Sequence, residues 1–374
     1  MISATRRPWY SIASFVVFLA VSAGISAHCY RSSVLGIDVL GYAGIVALND
    51  TGNVVKVHDI LYSHPLNAHL RGLDGDTVQA RDMRRRAADP YLAAMHFPYF
   101  AIKPLYISTL QVVHRFGLSA IDSVRAVSAL SLFGIAIMFW IYTRSLLALI
   151  PLILPETLLL GQTHDPDGMS CLLLLLGLWL VFVKRVDMGL LPLLVAIWVR
   201  PENALLTALV VIAMFVQGRV DWIKAAILVV LSFASVWAIN HYGYPWEEMY
   251  GHFLGAAPGT GDASTFVNYW SSLAKSVTNA LRSAVPLFVI LWMVCFPFVE
   301  ESMQWILGVT LVFSAARFLM FPGYEPRYYG LFFTVTAIGA VVAIRDGAYR
   351  ELARKWKGSL RTMISRWIYD SSVR

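Results

Sequence analysis

The chain has 374 residues, 58% hydrophobic and only 14% charged, which is too few ionisable groups to cover a soluble protein of this size. Its net charge of +7 sits wholly at the two ends, in Arg6 and Arg7 and in residues 345–374 with their eight Lys/Arg against three acids. A basic excess confined to the ends of an apolar chain reads as membrane topology and excludes a nucleic-acid footprint.

The first apolar run, Trp9–Ala27, follows Arg6-Arg7 and reads as a signal peptide or a retained anchor. His28 before Cys29 does not suit a lipoprotein signal, and many apolar runs follow, so a retained anchor with a cytoplasmic N-terminus is preferred. Cys29, Cys171 and Cys295 include no C-x-x-C pair, so neither a disulfide framework nor a zinc site is indicated.

Residues 28–125 form a long connection holding 18 of the chain's 53 charged residues, more than a passive loop needs. Within it, Asp38–Ala47 reads as a short amphipathic helix along the membrane, with Asp38 near the bilayer surface and Tyr42 one turn on, on the same face. His58-Asp59 and His64-Pro65 come next, then Arg81-Asp82-Met83-Arg84-Arg85-Arg86. Lys103-Pro104-Leu105-Tyr106 lies inside the moderately apolar segment Phe97–Phe116.

Further apolar runs follow near residues 126–143, 145–162, 169–183, 188–199, 203–217, 225–239, 283–299, 302–316 and 328–344. Several are short for a ~30 Å hydrocarbon core, which suits helices shielded by neighbours or ending at wet cavities. The expected fold is an all-α polytopic transmembrane bundle of ten or eleven membrane helices. Residues 1–344 form the membrane domain and 345–374 a basic amphipathic tail on the inner leaflet. Either 97–116 or 146–162 is expected not to cross. With 97–116 outside the membrane, Arg144, Lys184-Arg185, Arg219 and Lys224 share the N-terminal, cytoplasmic side with the tail. The opposite side receives loop 28–125, His164-Asp165-Pro166-Asp167, Arg200-Pro201-Glu202 and Glu325-Pro326-Arg327.

Each polar residue has a plain reading. Asp38 suits a helix cap or a surface acid, His58-Asp59 an exposed turn, and Lys103 an interfacial lysine with its head in water. Asp165-Pro166-Asp167 suits the first turn of the following helix, and Arg200-Pro201-Glu202 the start of another. Against this stands the accumulation of acids, histidines and cations on one side of the membrane. ATP and nucleotide sugars are cytoplasmic, so chemistry on the outer side needs a lipid-carried donor or an exported substrate. No phosphate-cradling glycine loop is present.

The motifs, in order, are Asp38 with Gly41-Tyr42; His58-Asp59 through His64-Pro65; Lys103–Tyr106 with Phe116-Gly117; Arg125-Ala-Val-Ser-Ala-Leu; Pro166-Asp167; Arg200-Pro201-Glu202-Asn203; and Arg317 through Pro326-Arg327-Tyr328-Tyr329. Over residues 9–344 this succession resembles the GT-C superfamily of integral-membrane glycosyltransferases, in its branch of mannosyl- and aminoarabinosyl-transferases that use polyprenyl-phosphate sugars. Two features depart from that pattern. Asp38 is followed by Val39 where Asp-Glu is frequent, and the chain ends in a basic tail in place of an extracytoplasmic domain.

The resemblance implies inverting transfer of a sugar from a polyprenyl phosphate to a glycan, lipid or protein acceptor, at the outer face of a bacterial inner membrane. It implies Asp38 as general base, with Asp59 as second candidate, and Lys103, Arg317 and Arg327 on the donor phosphate. Tyr42, His58, His64, Asp165, Asp167, Arg200, Glu202 and Tyr328 would line the substrate pocket. A divalent metal is left open, with His58, Asp59 and Asp165 as candidate ligands. The alternative from another class is a transporter or flippase of lipid-linked sugars; a noncatalytic scaffold is weaker. No internal repeat supports transport, whereas Pro151, Pro155 and Pro192 leave room for broken helices.

Overall fold

The computed structural model describes residues 8–32, 37–63, 78–244, 264–345 and 347, and every regular element among them is helical. Arg6, Arg7, His64 and the tail beyond Gly347 lie outside the described residues. Helix α1 (Pro8–Arg31) leads into six short helices of the long connection. These are α2 (Ile37–Thr51), α3 (Val54–Ser63), α4 (Val78–Ala88), α5 (Pro90–Ala94), α6 (Phe97–Ala101) and α7 (Pro104–Arg115). The bundle continues through α8 (Ala120–Thr143), α9 (Leu149–Leu152), α10 (Pro155–Gln162), α11 (Asp167–Trp179), α12 (Val186–Val199), α13 (Asn203–Val216) and α14 (Trp222–Ile239). It closes with α15 (Ser264–Leu281), α16 (Val285–Cys295), α17 (Glu301–Met320) and α18 (Gly330–Arg345).

Among the described residues, five helical stretches are long and apolar enough to cross a membrane: Ile12–Arg31, Ala120–Thr143, Trp222–Ile239, Glu301–Met320 and Pro326–Arg345. The number rises to seven if two bent pairs each count as one span, Pro155–Gln162 with Asp167–Val183 (117°) and Asn268–Leu281 with Val285–Phe298 (66°). Helices α12 and α13 are apolar but shorter. The ten or eleven spans expected from hydropathy are therefore not ten or eleven long helices. Pro151 and Pro155 fragment the run 145–162 into a 3₁₀ turn, α9 and α10, because proline removes an amide donor and crowds the preceding turn. Segment 97–116 breaks at Ile102-Lys103 before Pro104, leaving α7 at 12 residues, about 18 Å. Neither of the two rival segments is a continuous span.

Helix α18 is the central post: 83% of its span is buried, against α8, α10, α11, α16 and α17. Helix α14 is peripheral, with 17% buried; Trp222, Ile227, Val230, Phe233 and Trp237 are all exposed along it. An apolar band bounded by tryptophans at both ends of a helix is what a bilayer solvates and water does not.

A second core lies under the long connection, where α2 packs on α3, α6, α7 and α8. The amphipathic reading of Asp38–Ala47 fails here: Val39 to Ala47 are buried all round, because α6 and α7 cover the face expected to meet solvent. Glycine permits that cover. A Cβ at Gly41 or Gly44 would occupy the ring positions of Phe100 and Phe97. Tyr42 meets Phe100 and Tyr106 edge-on, each at 5.0 Å. Asp38, in the first turn of α2, is thereby set by a buried helix, where its charge favours the helix N-terminus.

Candidate functional site

Four connections meet near one end of α8, α11 and α18. They are the start of α2, the 162–167 turn, the 200–202 turn, and the stretch from the last turn of α17 to Arg327. Each brings charge for a local reason. In the 162–167 turn, Asp165 Oδ1 accepts the Asp167 N–H at 2.9 Å, so the helix-start reading of this motif is correct. Its other oxygen, Oδ2, accepts from Arg327 Nη1 at 2.8 Å, so the same side chain serves the fold and the cluster. Arg200 is extended (φ −147°, ψ 114°), as a residue before proline should be, and this ends α12 and turns the guanidinium toward Asp167.

Two linked ion-pair groups result. In the first, Arg327 contacts Asp38 Oδ2, Asp165 Oδ2 and Glu325 Oε2. In the second, Arg200 contacts Asp167 and donates from Nε to Glu202 Oε1 at 2.8 Å; Arg317 Nη2 reaches the same oxygen at 3.4 Å. The Tyr328 ring joins the two, with the guanidinium carbons of Arg317, Arg327 and Arg200 at 4.4, 5.0 and 5.1 Å from its centroid. Burial alone would push the Glu202 carboxyl up, but Arg200 and then Arg317 more than reverse it and hold it at about 2. A cavity of about 30 Å³ between the groups is lined by Asp167, Glu202 and the three arginines. It has room for about one water, and the buried Nη1 of Arg317 has no hydrogen-bond partner among the described residues.

Lys103 differs from the three arginines. It ends the α6–α7 break with its ammonium 5.2 Å from the Tyr42 ring centroid and 5.7 Å from that of Phe100. No carboxylate among the described residues lies within ion-pairing distance of it. Burial, and then repulsion from Arg200, pull its ammonium down to about 8. The carboxylates differ among themselves too. Both oxygens of Asp165 are used and its side chain is 2% exposed. Among the described residues Asp38 is engaged through Oδ2 alone, and its side chain is 23% exposed.

Beside the cluster runs an apolar groove of about 380 Å³ between α15, α16, α17 and α18, bounded by Leu281, Val289, Leu311, Phe318, Tyr324 and Tyr329. Tyr329 lines it, with its ring 5.7 Å from the guanidinium carbon of Arg317. An apolar slot and a charged pocket thus share a wall.

The structure gathers Asp38, Asp165, Asp167, Arg200, Glu202, Arg317, Arg327 and Tyr328, with Lys103 and Tyr42 alongside. It does not gather His58 or Asp59. His58 is buried against Tyr62 at 4.5 Å with Nε2 3.1 Å from the Arg86 carbonyl, while Asp59 is exposed one residue on, because α3 turns that face outward. Among the described residues no group of three or more His, Cys, Asp or Glu is placed to hold a metal, so the trio His58, Asp59 and Asp165 is not a ligand set. Three residues of the site appear in the sequence only inside quoted motifs, with no role assigned to them. Glu325 is the third acid on Arg327. Asn203 donates to Ser170 Oγ at 2.8 Å and the Ala196 carbonyl at 2.7 Å, tying three helices beneath Glu202. His164 is fully buried with a left-handed backbone (φ 54°), and burial pulls its imidazole down to about 4.

Comparison of the chain with protein-family models, curated proteins and solved structures gives no match.

Proposed function

We propose that the chain is an integral-membrane glycosyltransferase of the GT-C type, moving a sugar from a polyprenyl phosphate to a glycan, lipid or protein acceptor with inversion at the anomeric carbon. One observation supports this reading: a buried ammonium with no carboxylate partner among the described residues lies beside a charged cluster that backs onto an apolar groove. A lipid phosphate carrying a polar group is the substrate class that needs both. The isoprenoid chain would lie in the groove, with its phosphate toward Lys103 and the Arg317 end of the charged cluster.

In this reading Asp38 Oδ1 takes the proton of the acceptor hydroxyl as its oxygen attacks the anomeric carbon. The bond from that carbon to the phosphate oxygen breaks on the opposite side, and the electron pair leaves with the polyprenyl phosphate, whose added charge Lys103 offsets. Arg327 holds Asp38 in place through Oδ2, and nearby carboxylates favour the positive character of the sugar in the transition state. Arg327 is a positioning residue here, because three acids occupy it; the phosphate contact passes to Lys103. The membrane would be a bacterial inner membrane, with both termini cytoplasmic and the site facing outward.

The test uses purified protein in proteoliposomes with a panel of polyprenyl-phosphate sugars labelled in the sugar. Label leaving the lipid for an added acceptor, with release of polyprenyl phosphate, is the expected result. Label that crosses the bilayer still attached to its lipid would instead establish a flippase.

A further inference from the structure

A second cavity, of about 190 Å³, lies at the other end of the bundle. It is enclosed by the C-terminal ends of α8, α11 and α18 and the N-terminus of α17, with Tyr142, Trp179 and Met303 in its walls and Arg144, Arg345 and Glu300 at its rim. Arg345 ends α18, the helix that Arg327 precedes, so some 15 residues of helix, about 22 Å, separate this cavity from the charged pocket. The two cavities lie toward opposite ends of this helix.

Three features give it a preference for anions. Arg144 extends from a helix end with no partner for its guanidinium among the described residues, although its backbone N–H bonds the Trp140 carbonyl at 2.7 Å. Arg345 reaches across to the Thr143 carbonyl at 2.9 Å, which brings a second guanidinium to the same rim. Helix α17 begins there without a side-chain cap, since Glu300 Oε1 accepts from the Ser302 hydroxyl at 2.8 Å. The Met303 and Gln304 amides bond the Glu300 carbonyl, which leaves the Glu301 and Ser302 amides for a ligand, with the Glu301 side chain in the same first turn. Arg144 also occupies the left-handed region (φ 49°), where glycine ends helices most easily.

We propose that this cavity binds the phosphate of a lipid headgroup, on the membrane face opposite the sugar-transfer pocket. The phosphate sits between Arg144, Arg345 and the first turn of α17, and the acyl chains run along the exposed apolar surface beside it. Tyr142 and Trp179 supply the amphipathic wall that an interfacial ligand meets. Free phosphate offers the same charge without the chains, so the experiment carries an arm for each.

The experiment is native mass spectrometry of the full-length protein, released from detergent and titrated with phosphatidylglycerol, with melting temperature measured in parallel. Arg144→Gly keeps the helix end, because glycine suits that backbone, and is expected to weaken phosphatidylglycerol binding about tenfold. Glu300→Gln removes a like charge and is expected to tighten it about threefold. Competition by millimolar inorganic phosphate would assign free phosphate as the ligand and overturn the lipid assignment; lipid binding unaffected by phosphate supports it. Unchanged phosphatidylglycerol binding in a folded Arg144→Gly protein would overturn the site and leave both arginines as helix-end residues.

Discussion

Arg327→Met strands three carboxylates at once, and the structure ranks what each loses. Glu325, half exposed, falls back on water, and a pair of that kind contributes under about 1 kcal/mol. Asp38, at 23% exposed, is intermediate. Asp165, at 2%, cannot reach solvent, and removing the partner of a buried charge costs about 3–5 kcal/mol. The substitution should therefore destabilise by about that amount, nearly all of it through Asp165. Adding Asp165→Asn removes the stranded charge while keeping an oxygen for the Asp167 amide, so the double variant should recover most of the loss. Cys29, Cys171 and Cys295 are all free and buried, so a thiol-reactive dye reports unfolding directly. An Arg327→Met protein that melts like the parent, or an Asp165→Asn change that restores nothing, would refute the buried pair.

Lys103→Met removes no ion pair, so its melting temperature should stay level or rise, while donor affinity falls by about tenfold or more, read by labelled-donor binding. Because the ammonium titrates near 8 and must be charged to hold phosphate, donor binding should weaken as pH rises through about 8 and lose that dependence in Lys103→Arg. His164 is neutral in the folded protein down to about 4, whereas the unfolded chain takes up its proton below about 6.5. Stability should thus fall between pH 6.5 and 4, by on the order of 3 kcal/mol, and Asn in this left-handed position should flatten the fall; an identical pH profile would exclude His164 as its source. A Cβ at Gly189 would lie 2.5 Å from the Val181 amide nitrogen and 2.7 Å from the Gly177 carbonyl oxygen, so Gly189→Ala should push α11 and α12 apart and cost about 1–3 kcal/mol. Gly24→Ala in α1, with nothing within 4 Å, should instead gain about 0.5–1 kcal/mol.

The helical class and the membrane character were legible because both rest on sums, apolar run length and scarcity of charge, which no single contact overturns. The number of long spans was not, because a window that averages hydropathy sees Leu146–Leu160 as one apolar run while Pro151 and Pro155 break it. The cluster of Asp165, Asp167, Arg200, Glu202, Arg317 and Arg327 was legible as a set of charges at the ends of apolar runs on one side. Who pairs with whom was not: Asp38 and Arg327 are 289 residues apart, and only the packing of α2 under α6 and α7 brings them together. The same packing hid the character of α2, whose alternation of small and large residues records Phe97 and Phe100 seated on Gly44 and Gly41. His58 and Asp59 misled for the opposite reason, since adjacent residues on a helix face different ways.

The role proposed for Asp38 is to withdraw the acceptor's proton. Asp38 and Glu325 are both held by Arg327 through one carboxylate oxygen, so Glu325→Gln is the matched control for Asp38→Asn. The decisive measurement is the rate of sugar transfer from a polyprenyl-phosphate donor for these two variants, each with a confirmed melting transition. The account predicts a loss of about 10²–10⁴-fold in Asp38→Asn and a rate within about threefold of the parent in Glu325→Gln. Transfer at the parent rate by folded Asp38→Asn protein would contradict it.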